Sequence, residues 1–300
     1  MHIDPRIIME MNQEYLNIVN SDSYKLGQLL YLTINNLESR HFGAIKNEFC
    51  KKIRSYRIRR ISHPNILDIQ PHSKKTNARI AVYTVIYGAY DTLSEPIVID
   101  PQCDYYYIGD QHFNKPSIWK YKEFSLPYEI EKLDGIYKNR YCKMHPFSIF
   151  PDYEYSIYLD GNIILYGYPS DLLEFINNKS GFALHNMANR DCIYAEAIAC
   201  KILKKGHYEL IKKQVKRYRK DNFPEHFGVY ECPIVFRQHS SICKEINQTW
   251  WQEFRESGGR DQLCLPYVIW KKGLNFEDVG LLGNDVRRNP YFRQVNHLKR

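Results

Sequence analysis

At 300 residues, with 44% hydrophobic and 25% charged residues, the chain has the composition of an ordinary globular protein and room for one large domain or two small ones. Its net charge of +8 is concentrated in two runs, Arg40 to Arg60 and Lys201 to Lys220, each holding a single acid, Glu48 and Glu209. No run of about 20 apolar residues is present, which excludes a helical membrane span, and eight cysteines without one C-x-x-C pair argue against a zinc site.

Met1 to Asn20 lacks a basic start followed by an apolar run, so no signal peptide is expected, and the thiols read as reduced in a cytoplasmic protein. Residues 1–77 read as a basic helical extension and linker. Tyr15, Ile18 and Val19 recur at helical spacing, as do Leu26, Leu29, Leu30, Leu32 and Leu37, with Ser21 or Ser23 as cap. Phe42 to Ile58 is amphipathic and basic and suits attachment to an anionic membrane surface, peripheral at its inner face. His63 to Asn77, with two prolines, reads as a linker.

The texture changes at Arg79, and residues 78–300 read as one domain. Arg79 to Tyr87 is a β-branched and aromatic run closed by Gly88-Ala-Tyr-Asp91, the pattern of a buried central strand. Further strands are expected at Cys103–Ile108, Tyr155–Leu159, Gly181–His185 and Pro233–Arg237. Helices are expected around Asn139–Lys143 and at Ser170–Asn177, Ile193–Lys205, Tyr208–Lys220, Thr249–Arg255 and Asp261–Lys272, the last bent at Pro266. This alternation predicts an α/β fold with a mostly parallel sheet flanked by helices. In such sheets ligands bind outside the carboxyl ends of the strands.

The sharpest motif is Asp160-Gly-Asn162, just past a strand. A carboxylate and an amide two residues apart can both reach one hard cation, Mn²⁺ or Mg²⁺, which leaves positions open for substrate phosphates; the same tripeptide is also a common tight turn. Arg140 and Lys143 share a helix face and can hold a ribose or diphosphate, or form a surface ion-pair face. His185, Arg190 and Asp191 sit in one polar connection, which reads either as a hydroxyl- or charge-contacting site or as a helix cap. Asp261 is either an N-cap or a carboxylate facing the reacting group, as a base or an orienting group. Trp250 and Trp251 either stack on a sugar or fill the core. At the C-terminus His297 is a third metal candidate, with Lys299 or Arg300 on an anion. The basic runs lie away from these strand ends, so no nucleic-acid partner is expected.

Tyr83 to Asp91, Arg140-x-x-Lys143, Tyr155 to Asn162, His185 to Glu196, Trp250-Trp251 and Arg260-Asp-Gln262 occur in an order that resembles a known family. It is the glycosyltransferase-like domain of plant mucilage-related and turgor-regulation-defect proteins, with bacterial members associated with surface polysaccharides. The resemblance covers about Ile80 to Phe292 and implies a GT-A-like fold. The implied activity is transfer of a sugar from a nucleotide-diphosphate donor, UDP-sugar favoured, to a glycan or lipid-linked glycan. It implies Asp160, Asn162 and His297 at the metal. Thr84, Tyr87, Asp91, Arg140, Lys143, Asp160, Arg190, Gln262 and Lys299 would bind donor, and Asp261, Asp191 and His185 would serve catalysis. Asn162 departs from the family's D-x-D pattern and keeps open an alternative, a non-catalytic nucleotide- or glycan-binding module.

Overall fold

The computed structural model describes residues 4–38, 77–111, 116–187 and 189–297. The basic segment Phe42 to Ile58, the linker up to residue 76, and Lys299 lie outside the described residues.

Two helices open the chain, α1 (Pro5–Asn20) and α2 (Asp22–Glu38). Ser21 lies between them, and its hydroxyl accepts from the Tyr24 amide at 3.2 Å. The helices form where the apolar spacing places them, but the buried face differs from the expected one. Ile18, Leu26 and Leu30 are more than half exposed, whereas Asn12 and Leu16 are buried. Asn12 donates to the carbonyls of Pro290 (2.8 Å) and Phe292 (3.2 Å) and accepts from Arg293 (2.7 and 2.9 Å). Main-chain carbonyls at that edge need donors, and a short amide reaches them where an aliphatic side chain cannot satisfy them.

Next come β1 (Ile80–Ile86), β2 (Cys103–Gly109), β3 (Lys120–Tyr121), the one-turn helix α3 (Tyr128–Glu131), α4 (Gly135–Met144) and α5 (Pro146–Ile149). They are followed by β4 (Tyr155–Leu159), β5 (Ile163–Leu165), a 3₁₀ segment Pro169–Phe175, β6 (Phe182–Asn186), α6 (Ile193–Leu203) and α7 (Tyr208–Lys220). The chain closes with β7 (Tyr230–Gln238), α8 (Ser241–Arg255), α9 (Asp261–Lys271), β8 (Gly280–Leu281) and β9 (Phe292–Gln294). The main sheet runs β3-β2-β1-β4-β7-β6-β8, and β5 pairs with β9 in a small antiparallel sheet. Strands β3, β2, β1 and β4 are mutually parallel, while β7 lies antiparallel between β4 and β6.

Every residue of β1 is buried, as its β-branched and aromatic run requires, Thr84 included. One face packs Tyr83, Val85 and Tyr158 against Trp250 and Phe254. The other packs Val82, Ile157 and Leu159 against Ile163 and Phe292. A third cluster joins Ile193, Ile211, Tyr218 and Tyr267 of α6, α7 and α9. Three boundaries differ from expectation. Helix α8 starts at Ser241, where the Ser240 hydroxyl caps the Cys243 amide at 3.3 Å, because Cys243, Ile246, Asn247 and Trp250 together form its buried stripe. Strand β7 runs through Pro233, whose carbonyl accepts from the Asp160 amide at 2.7 Å. The segment expected as a helix from Ser170 is the 3₁₀ turn.

Candidate functional site

The carboxyl ends of β1 and β4 and the amino end of antiparallel β7 meet at one side of the sheet, and an open cleft of roughly 610 Å³ lies there. Its lining draws on the Tyr87–Asp91 turn, α4, the Asp160-Gly-Asn turn, the α6–α7 connection, the start of α9 and the C-terminal segment.

Helix α4 begins at Asp134, whose carboxylate caps the Ile136 and Tyr137 amides at 3.0 and 3.1 Å. One turn later Asn139 donates to the Val85 carbonyl at 2.6 Å, fixing the helix against the end of β1. Arg140 and Lys143 then point to the same partner. The Lys143 ammonium donates to Asp261 at 2.6 Å, and Arg140 Nε lies 3.0 Å from the same oxygen, off the hydrogen-bond line. Burial would raise the Asp261 carboxyl, but Arg140, Lys143 and Arg260 together hold it far below the usual carboxylate range. A carboxylate held so low takes up no proton near neutral pH. Asp261 is therefore the buried counter-ion of the cleft cations. Lys143 is buried and Arg140 partly buried, and both line the cleft.

A second buried carboxylate, Glu196, is ion-paired with Arg190 and lies 4.0 Å from Arg260. Lys205 reaches the cleft from its exposed rim. Arg140, Lys143, Arg190, Lys205 and Arg260 thus share one wall, and their ion pairs go to two carboxylates, Asp261 and Glu196. Asp160 and Glu231 act on Arg140 and Arg190 at longer range. This wall keeps an excess of positive charge and suits a polyanion such as a diphosphate.

Asp91 and Asp160 add acidic groups to the cleft. The Asp160-Gly-Asn turn packs tightly against β1: a Cβ on Gly161 would come within 2.9 Å of Ile86 and 3.1 Å of the Asp91 side chain. Asp160 accepts from the Tyr158 hydroxyl at 2.7 Å. Asn162 does not face the cleft. Its amide donates to the Val295 carbonyl at 2.7 Å, and its buried Oδ1 has no hydrogen-bond partner among the described residues. The expected ligand is thus a clasp that holds the C-terminal segment. His297 does reach the cleft, where its Nδ1 lies 2.9 Å from both oxygens of Asp91 and its ring packs 4.8 Å from that of Tyr90. Among the described residues no three His, Cys, Asp or Glu side chains converge into a metal centre. The Asp91 carboxylate on Nδ1 is nevertheless the arrangement that fixes the proton there and frees Nε2 as a ligand. Asp160 and His297 both line this cleft, whereas Asn162 does not.

The structure brings Tyr87, Asp91, Arg140, Lys143, Asp160, Arg190, Asp261, Gln262 and His297 to one cleft. Thr84 is buried within β1, away from it. His185 is fully buried under Phe292, its Nε2 3.0 Å from the Asn289 amide, and burial lowers it to about 3. It belongs to the core. Asp191 pairs at the surface with His226 at 3.0 Å and does not line the cleft. Trp250 and Trp251 are buried, Trp250 donating to the Asp261 carbonyl at 3.1 Å, so neither is free to stack on a sugar.

Sequence reasoning missed Glu231. It opens β7, is buried at the cleft, and accepts from the Val286 amide and from Arg287, each at 2.9 Å. Burial pushes its carboxyl up to about 7 against the pull of Arg287. The only local signal was the turn-like stretch before it, and the pairing that places it, opposite His185 of β6, is long-range.

A mostly parallel α/β sheet with a cation-lined cleft at its strand ends is the frame of the site. Residues 117–297 match the TOD1/MUCI70, glycosyltransferase-like domain, and the chain belongs to that family. A curated relative, the probable hexosyltransferase MUCI70 of Arabidopsis thaliana, is 24% identical over 218 residues, which span 63% of this chain and 37% of that protein. Among solved structures, the bifunctional glycosyltransferase WbbM matches 74% of this chain and 40% of its own at 8% identity and a TM-score of 0.40. The Saccharomyces cerevisiae mannosyltransferase Ktr4p matches 74% and 75% at 12% identity and a TM-score of 0.36. Among the described residues no helix is long and apolar enough to cross a membrane.

Proposed function

We propose that the protein is a glycosyltransferase that moves a sugar from a nucleotide-diphosphate donor to a glycan or lipid-linked glycan, in surface polysaccharide synthesis. The observation that carries this reading is the shared wall of Arg140, Lys143, Arg190, Lys205 and Arg260 at the strand ends of a glycosyltransferase-like domain. In the transfer, the bond from the anomeric carbon to the phosphate oxygen breaks, and a bond to the acceptor oxygen forms. Negative charge grows on the departing diphosphate, and fixed cations already aimed at it stabilise that charge without reorganising. Asp261 and Glu196 hold those cations in place.

The acceptor hydroxyl must lose a proton. Glu231 is suited to take it, since its carboxyl lines the cleft and titrates near neutral pH. Asp160 and His297 would hold Mn²⁺ or Mg²⁺, which, when bound, adds further neutralisation of the diphosphate. Tyr87, Asp91 and Gln262 complete the donor side, with uridine the first base to test.

A non-catalytic nucleotide-binding module is the second reading, favoured by the commitment of Asn162 to Val295. Thermal unfolding with nucleoside diphosphates, with and without Mn²⁺, separates these readings from neither. A ligand that binds only the native state raises the midpoint. A nucleotide-specific shift lost in Arg140→Met, together with turnover of the matching nucleotide sugar, is the expected result. A shift without turnover supports the module, and no shift with any nucleotide overturns both.

A further inference from the structure

Helix α7 buries Ile211, Gln214 and Tyr218, one stripe at helical spacing. Its opposite side carries Lys212, Lys213, Lys216 and Lys220, all exposed: Lys212, Lys216 and Lys220 follow one another at one helical turn, and Lys213 lies one turn before Lys216. Arg217 and Arg219 of the same helix are ion-paired to Glu253 and Glu225. The four lysines have no such pair with a described carboxylate. The charge continues through Lys201 and Lys204 at the end of α6, both exposed, and Glu209 is the single acid between residues 201 and 220.

Apolar side chains flank this charge. Leu210 is 43% exposed one turn from Lys213, and Ile198 is 48% exposed one turn before Lys201. Tyr208 opens α7, its ring centroid 4.8 Å from the Lys201 ammonium. Lysine with exposed Leu and Ile and a half-buried Tyr is the mixture that settles at a lipid headgroup boundary, where the charges meet anionic lipid and the apolar groups leave water. A nucleic-acid backbone would satisfy the lysines but leave Leu210 and Ile198 in water. The position of the face supplies the last link. The α6–α7 connection continues directly into Lys205 and Gly206, which line the cleft.

We propose that the exposed face of α7, with the end of α6, is a docking surface for an anionic lipid bilayer that holds the cleft mouth near the headgroups. The assignment goes beyond the transferase reading and stands if that reading fails. Each lysine near such a surface contributes about fivefold in partitioning, so removing four lowers it on the order of several hundred-fold.

The test is flotation of the full chain with phosphatidylcholine vesicles, with and without phosphatidylglycerol, at low and raised salt. Binding to the anionic vesicles only, weakened by salt, is expected. The variant with Lys212, Lys213, Lys216 and Lys220 changed to Gln is expected to lose that binding. The same four positions changed to Arg should retain it, and both variants should keep the wild-type melting midpoint because all four side chains are exposed. Equal binding to neutral vesicles, or a Gln variant that floats like wild type, overturns the proposal. So does loss of binding in the Arg variant. Salt-sensitive binding to a random oligonucleotide, lost in the Gln variant and without vesicle binding, would replace the bilayer with nucleic acid.

Discussion

Asn162 and Val295 are joined by two hydrogen bonds, Val295 N to the Asn162 carbonyl at 2.9 Å and Asn162 Nδ2 to the Val295 carbonyl at 2.7 Å. The pair fastens the C-terminal segment to the turn that carries Asp160. Changing Asn162 to Asp would restore the D-x-D spelling but set a carboxylate against a carbonyl oxygen. The expected outcome is a loss of about 2–3 kcal/mol of stability in urea unfolding, with no gain in metal-dependent nucleotide binding. Tighter Mn²⁺ binding by Asn162→Asp would instead make the side chain a ligand.

The Lys143–Asp261 pair is buried on both sides, so Asp261→Asn leaves two cations without their counter-ion. A loss of about 3–5 kcal/mol is expected. The pH dependence has a definite sign. The folded carboxyl lies below its ordinary value, so its contribution is full above about pH 4 and is lost only as the pH falls further. Urea midpoints of wild type and variant should differ equally at pH 7 and pH 5 and converge only in strong acid.

Glu231 behaves oppositely. Its folded carboxyl is raised to about 7, so the stability it contributes is full below its unfolded value near 4.5 and is lost as the pH rises through 7. Glu231→Gln should therefore gain on wild type by up to about 3 kcal/mol between pH 4.5 and 8. If Glu231 accepts the acceptor proton, the limb of the kcat/KM profile near pH 7 disappears in the same variant. A profile that keeps that limb assigns it to another group.

His185 titrates far from neutrality. Lowered to about 3, it stays neutral in the folded protein while the unfolded residue charges below about pH 6.5, so stability falls as the pH drops through that interval. His185→Leu should flatten this fall. Asn289 would keep its 2.8 Å bond to the Leu282 carbonyl. Donor turnover should stay within about threefold of wild type, since the imidazole faces the core. A loss of a hundredfold or more at unchanged stability would return His185 to the site.

Strands β1, β2, β4, β6 and β7 and the Asp160 turn were legible because β-branched and aromatic runs ended by turn residues are a local signal, whereas β3, β5, β8 and β9, two or three residues each, carry too little pattern to be read. Arg140 and Lys143 were legible as a pair for the same reason, being one helical turn apart. Their partner Asp261 was visible only as an ambiguous cap, since 118 residues separate it from Lys143 and its role follows from sheet order. Pro233 hid the length of β7, because proline argues against a central strand. With β7 shortened, Glu231 fell outside it. The docking face of α1 was missed because the rule that apolar residues face inward has no way to favour Asn12.

Asn12 also joins two ends of the molecule. It grips the carbonyls on either side of Tyr291 and the guanidinium of Arg293, on the strand whose continuation passes Val295 and ends with His297 over Asp91. Helix α1 lies outside the family-matched region, yet it braces the strand that delivers a histidine to the cleft. A fragment trimmed to residues 117–297 would lose that brace together with β1, so the boundary of sequence kinship is not a boundary of mechanical support.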